Sequence, residues 1–194
     1  MTDTTGRNAS ADSLRNHFLL AMPSLTDAIF AQSVTFICEH TDEGAMGIVI
    51  NQPLDLCVEE VLEHLNLSAS GRLREMPVMA GGPVHMDRGF VLHRPGNRHW
   101  EATLPVTDEV WLTTSRDILV SIAEDEGPED CLIALGYAGW SPGQLESEIS
   151  ENSWLTLPAD SAIIFDTPCH QRMSSAAAKL GVDMNLLSGE AGHA

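Results

Sequence analysis

The sequence predicts an α+β fold built on a mixed sheet. Short apolar or alternating runs of strand length are numerous and unevenly spaced, and no regular strand–helix–strand alternation joins them, which argues against a doubly wound parallel sheet. About four segments with helical periodicity or helix-start signals are spread among these runs. At 194 residues, 43% of them hydrophobic, one domain is the default. Aromatic residues are only 5%, so Val, Ile, Leu and Met must fill most of the core.

The polar stretch Met1–Ser13 has no apolar signal-peptide core and predicts a disordered tail, which leaves 14–194 as the domain. His17–Ala21 reads as a first strand. Val34–His40 and Met46–Asn51 read as a hairpin about Gly44. Val58, Val61, Leu62 and Leu65 recur at helical spacing with glutamates between them, which predicts an amphipathic helix. Ser68–Pro77 is a polar connection. Val78–Ala80 is a strand that ends at the Gly81-Gly82-Pro83 turn, and Gly89–Arg94 is another strand. After a short strand at Val110–Thr113, Ser115 caps a helix whose apolar side is Ile118, Leu119, Ile122 and Ala123. Trp154–Leu157 and Ala162–Phe165 read as strands parted by Pro158. Thr167, Pro168 and Gly181 bracket a last helix.

The most distinctive stretch is Gly136–Trp154. The apolar run Cys131–Gly136 predicts a buried strand, followed by a Gly-rich turn about Trp140. Ser141, Pro142 and Gln144 then make an S-x-x-Q helix start with Pro at the first helical position. The helix is polar apart from Leu145 and Ile149, and Gln144, Glu148 and Glu151 share a face. The spacing matches neither common phosphate-binding glycine motif, and 117–171 holds no Lys or Arg, so a phosphate cradle is not expected.

The formal charge is −18, from 28 acidic and 10 basic residues. That balance opposes the phosphate neutralisation on which nucleic-acid binding depends. Arg72, Arg74, Arg88, Arg94 and Arg98 are scattered and form no basic stripe, so they read as solvated surface arginines. No apolar run reaches membrane-spanning length. The four cysteines are far apart and form no C-x-x-C, so reduced thiols and a cytoplasmic setting are expected.

Several segments together resemble the AlgH/YqgE family: AMPSL at 21–25, CEH at 38–40, GAMGIVINQP at 44–53, GGP at 81–83, GFVLH at 89–93, TTSRD at 113–117, ALGYAGW at 134–140, GQLESEI at 143–149 and NSWLTLPAD at 152–160. The resemblance spans nearly the whole chain from His17. It implies a bifurcated mixed sheet closed partly into a pseudo-barrel with helices packed around it, in a bacterial cytosolic protein. The family carries the label of a transcriptional regulator of alginate synthesis, with no accepted activity, cofactor or catalytic residue, so none is carried over.

Cys38 and His40 are the foremost chemical candidates. Two apart in a strand, they are expected on one face, where an imidazole can activate a thiol; the plainer expectation is a core cysteine and a strand-end histidine. His93, at the end of GFVLH, is expected either to line a pocket or, more simply, to be a satisfied strand-end histidine. Cys169 is expected in the first turn of the last helix, where the dipole and Arg172 could lower a thiol pKa and make it redox-sensitive; the plainer and favoured expectation is an ordinary, partly buried cysteine. Tyr137, Trp140 and Trp154 are expected to wedge the core or, if exposed, to form a docking patch. The favoured reading is a non-enzymatic regulatory protein, without cofactor or metal, that contacts a protein or small ligand through Gly136, Tyr137, Gly139, Trp140, Gln144 and Glu148. The alternatives are a thiol-dependent enzyme or redox sensor at Cys38 and His40 and, more weakly, a DNA-binding regulator.

Overall fold

A ribbon of four strands, β1 (His17–Ala21), β2 (Val34–Thr41), β3 (Gly44–Val49) and β10 (Trp154–Pro158), runs antiparallel in the spatial order β10-β1-β2-β3. β3 pairs with the far end of β9 (Cys131–Trp140). The near end of β9 lies between β6 (Val84–His93), antiparallel, and β5 (Pro77–Ala80), parallel. β5 carries β4 (Pro53–Cys57), while β6 carries β8 (Trp111–Thr113) and then β7 (Thr103–Pro105). The sheet forks along β9 and is mixed through its β5–β9 pair. The computed structural model describes residues 13–187, so the expected N-terminal tail lies outside the described residues, apart from Ser13. The described chain is a single α+β domain, a curled half-barrel sheet with flanking helices.

Strand alternation sends side chains into separate cores. On the inner face Phe18, Leu20, Phe36, Cys38, Phe90, Leu92, Leu132 and Ala134 pack with α4 (Ser161–Phe165) and α5 (Arg172–Lys179). Their neighbours face the other way. Leu19, Ile37, Ala138 and Trp140 meet Leu145 of α3 (Gln144–Ser150). Val91 and Ile133 meet α1 (Val58–His64) and α2 (Arg116–Ala123). A last short helix, α6 (Met184–Leu187), ends the described chain.

Several expectations change. Ala162–Phe165 is helical: Asp160 caps it by accepting the Ala162 N–H at 2.9 Å, and adjacent Ile163 and Ile164 are both buried in one core, which a strand would forbid. β9 continues through Trp140, so the expected turn there is strand, and α3 starts at Gln144 after a left-handed Gly143. Half of the S-x-x-Q device forms, with the Gln144 carboxamide oxygen accepting the Ser141 N–H at 3.0 Å. Ser115 does stand at the N-cap of α2, but its hydroxyl donates to Asp117 and accepts the Ala102 N–H. The last helix opens with a 3-10 turn at Cys169–Gln171, and the Thr167 hydroxyl donates back to Ala162 instead of capping it.

The glycines of the signature serve a crossing of backbones. Gly136 has φ +75° within β9, and a Cβ there would overlap the Gly82 carbonyl oxygen; a Cβ on Gly82 would in turn overlap Tyr137. At this crossing β6 bulges away from β9. Val84 pairs with Tyr137 and Gly89 with Leu135, so His85–Arg88 loop outward, starting from His85 at φ +48°.

Candidate functional site

The chemical candidates Cys38, His40, His93 and Cys169 do not come together in one site. The β2–β3 register shifts between Ile37 and Glu39, and this bulge breaks the alternation that would have kept Cys38 and His40 on one face. Cys38 is 0% exposed in the inner core, where burial pushes its thiol pKa up, away from a populated thiolate. His40 lies toward α3. Its Nδ1 accepts the Leu14 N–H at 2.9 Å, and its Nε2 is 2.7 Å from Glu146 Oε1. The Glu146 carboxyl is held below its usual range by its own backbone N–H and by His40. The expected thiol–imidazole pair is therefore not formed.

His93 is a satisfied strand-end histidine, 0% exposed. Its Nδ1 donates to the Arg94 carbonyl at 3.0 Å, so in the neutral ring Nε2 accepts from the Thr113 hydroxyl at 2.8 Å. Trp100 and Trp111 meet the ring edge-on, and burial lowers its pKa. Cys169 is the ordinary, partly buried cysteine of the plainer expectation: it sits 3.8 Å from the Met79 sulfur, and burial raises its thiol pKa, against the alternative of an activated thiol.

Trp140 and Trp154 are 6% and 4% exposed and pack edge-on, which realises the wedge. Both indole N–H groups donate to Glu148 Oε2 at 2.9 Å, while Gln144 donates to Oε1. Gln144 and Glu148 are thus engaged in holding the wedge. Gly136 belongs to the backbone crossing, and Tyr137, Gly139 and the rim of Trp140 line an open groove.

Two hollows flank the outward loop of β6. The groove is wide, about 1050 Å³, and lies on the inner-face side beside Met46, Phe90 and Tyr137, with Glu39, Asp42 and Glu43 at its edge. The other hollow, about 500 Å³, lies on the opposite face where α1 and α2 leave the sheet partly uncovered. Its walls are Leu56, Val61, Leu65, Leu119, Ile133 and Leu135, and its polar groups are His64, Asp87, Arg88, Ser115 and Arg116. An apolar cavity of this size with few polar groups has the makeup of a small-molecule site. Three segments that carry the family resemblance supply part of its lining: Gly89 of GFVLH, Thr114–Arg116 of TTSRD, and Leu135 of ALGYAGW.

Arg88 lines both hollows. Its electrostatic setting is unusual for so acidic a chain. Arg15, Arg72, Arg116 and Arg172 donate to backbone carbonyls. Arg74, Arg94, Arg98 and Lys179 pair with carboxylates. Among the described residues, Arg88 is the one cation that does neither. Arg116 spans the cavity mouth and donates to the Leu65 carbonyl at 2.9 Å, which ties the end of α1 to the start of α2. Arg88 is exposed, in keeping with the surface arginine expected from the sequence, but its place beside both hollows was not legible there. The available signal was a lone cation abutting GFVLH. Among the described residues no cluster of three or more His, Cys, Asp or Glu is placed to hold a metal, and no helix is long and apolar enough to cross a membrane.

A family model described as AlgH-like matches residues 18–185. A UPF0301 protein of Thioalkalivibrio sulfidiphilus is 56% identical over 185 residues, covering 95% of this chain and 99% of the relative. Another, from Nitrosococcus oceani, is 57% identical over 181 residues, covering 93% and 96%. The solution structure of the AlgH protein from Pseudomonas aeruginosa is 50% identical, with a TM-score of 0.78 over 97% of this chain and 100% of that one. A Corynebacterium diphtheriae crystal structure, at 18% identity and a TM-score of 0.71 over 92% and 93% of the two chains, shares the fold.

Proposed function

The chain belongs to the AlgH-like family, and we propose that it is a non-enzymatic regulatory protein that binds a small organic ligand in the cavity between α1, α2 and β6. A cytosolic setting is part of the proposal and suits the four free cysteines. The observation that carries the reading is the cavity itself. About 500 Å³ of space is walled by Leu56, Val61, Leu65, Leu119, Ile133 and Leu135, and its polar groups lie on the β6 loop and at the adjoining helix ends. Thiol chemistry is less favoured, because Cys38 and His40 point into different layers. Direct DNA binding is less favoured at a formal charge of −18 with the other described cations already engaged. On this reading the ligand bridges α1 and α2, and regulation follows from how firmly it fastens them over the sheet.

The test is a fluorescence titration with N-phenyl-1-naphthylamine, an uncharged apolar probe of suitable size. The natural protein is expected to bind it saturably and one to one. Val61→Phe and Leu65→Phe, which fill the cavity from the half-exposed side of α1, are expected to weaken binding about tenfold or more while leaving the fold intact. Absence of saturable binding, or equal binding by both folded variants, would contradict the proposal.

A further inference from the structure

We infer that the ligand of this cavity is an amphiphilic organic anion, its apolar body lying against Leu119, Ile133 and Leu135 and its singly charged head at Arg88. The inference rests on the cavity being the binding site and adds the ligand's chemical class. The protein as a whole repels anions, at −18. That repulsion is screened over about 8 Å at physiological salt, so the charges lining the mouth decide what is held there. Arg88 brings a guanidinium that no carboxylate neutralises by contact. Arg116, at the same mouth, spends one nitrogen on the Leu65 carbonyl, and a guanidinium has five N–H donors. The two belong to different elements, the β6 loop and the start of α2, and both line the one cavity. A planar head that takes two donors at once, such as a carboxylate, suits this pair. Asp87, in the same lining, sets the limit. Its carboxylate disfavours doubly charged heads, so a carboxylate or sulfonate is preferred over a phosphate monoester. The hydrocarbon or aryl body is required by the walls, which offer it no polar partner.

A matched pair of probes tests this. 1-Anilinonaphthalene-8-sulfonate carries the same ring skeleton as N-phenyl-1-naphthylamine with a single negative head added. The natural protein is expected to bind the anionic probe about tenfold or more tightly than the neutral one, as a charge-assisted hydrogen bond would give. Arg88→Gln should weaken the anionic probe about tenfold relative to the neutral one, which brings the two affinities close together. Arg74→Gln, which removes a cation outside the cavity lining, should leave the ratio as it was. Equal affinities in the natural protein, an anion preference that survives Arg88→Gln, or anionic-probe binding indifferent to Val61→Phe would each overturn the inference. Failure of both probes to bind would instead remove the cavity reading on which it rests.

Discussion

Glu148 accepts two indole N–H groups on one carboxylate oxygen, which its two lone pairs allow, and so joins β9 to β10 through α3. Replacing it with alanine leaves Trp140 and Trp154 with buried donors and no acceptor. The expected cost is about 2–4 kcal/mol, read by urea unfolding of Glu148→Ala, while Glu148→Gln keeps a carbonyl oxygen in place and should cost under about 1 kcal/mol. Equal losses in the two variants would show that charge, and not hydrogen bonding, holds the wedge. At this scale the sequence was legible for residue types and opaque for partners. That Trp140 would be a core wedge follows from its size. That Glu148 would be its acceptor depends on a helix packing across two strands. The Cys38–His40 pair failed for a related reason. A bulge is a property of two paired strands, and nothing in CEH alone announces that β3 is one residue short of matching β2.

At the scale of elements, the crossing of Gly81–Gly82 under Gly136 lets β5 and β6 both pair with β9, which forks the sheet and pushes His85–Arg88 outward. Gly136→Ala combines a left-handed backbone with overlap against the Gly82 carbonyl. It is expected to destabilise the fold by about 2 kcal/mol or more, measured by chemical denaturation, whereas Gly96→Ala, where an added Cβ meets nothing, should change little. Comparable stability of the two variants would mean that the crossing relaxes freely. The strands written as short apolar or β-branched runs, such as β1 and β2, were readable from the sequence, as were α1 and α2 from their apolar spacing. β4 and β7 were missed because Pro53, Asp55 and Pro105 break any such pattern, and their pairing comes from neighbours distant in the chain. Ile163 and Ile164 looked like strand because a short apolar run fits either form until its packing is known.

For the molecule as a whole, the half-barrel leaves unequal cover on its two faces. The inner face is closed by α4 and α5, and the outer face by α3 at one end and by α1 with α2 at the other, where a gap remains. No local pattern could reveal that gap, since its walls come from β4, α1, β6, α2 and β9. The central claim is that this gap, and not the Trp140 signature, is where the protein meets its ligand. Amide chemical-shift mapping of the labelled protein during titration with N-phenyl-1-naphthylamine tests it most directly. Saturable shifts are expected to concentrate on α1, on Asp87–Gly89 and at the start of α2, with the amides of Tyr137–Ser141 nearly still. Shifts centred on Tyr137–Ser141 and Gly44–Met46, with α1 and α2 unmoved, would contradict the account.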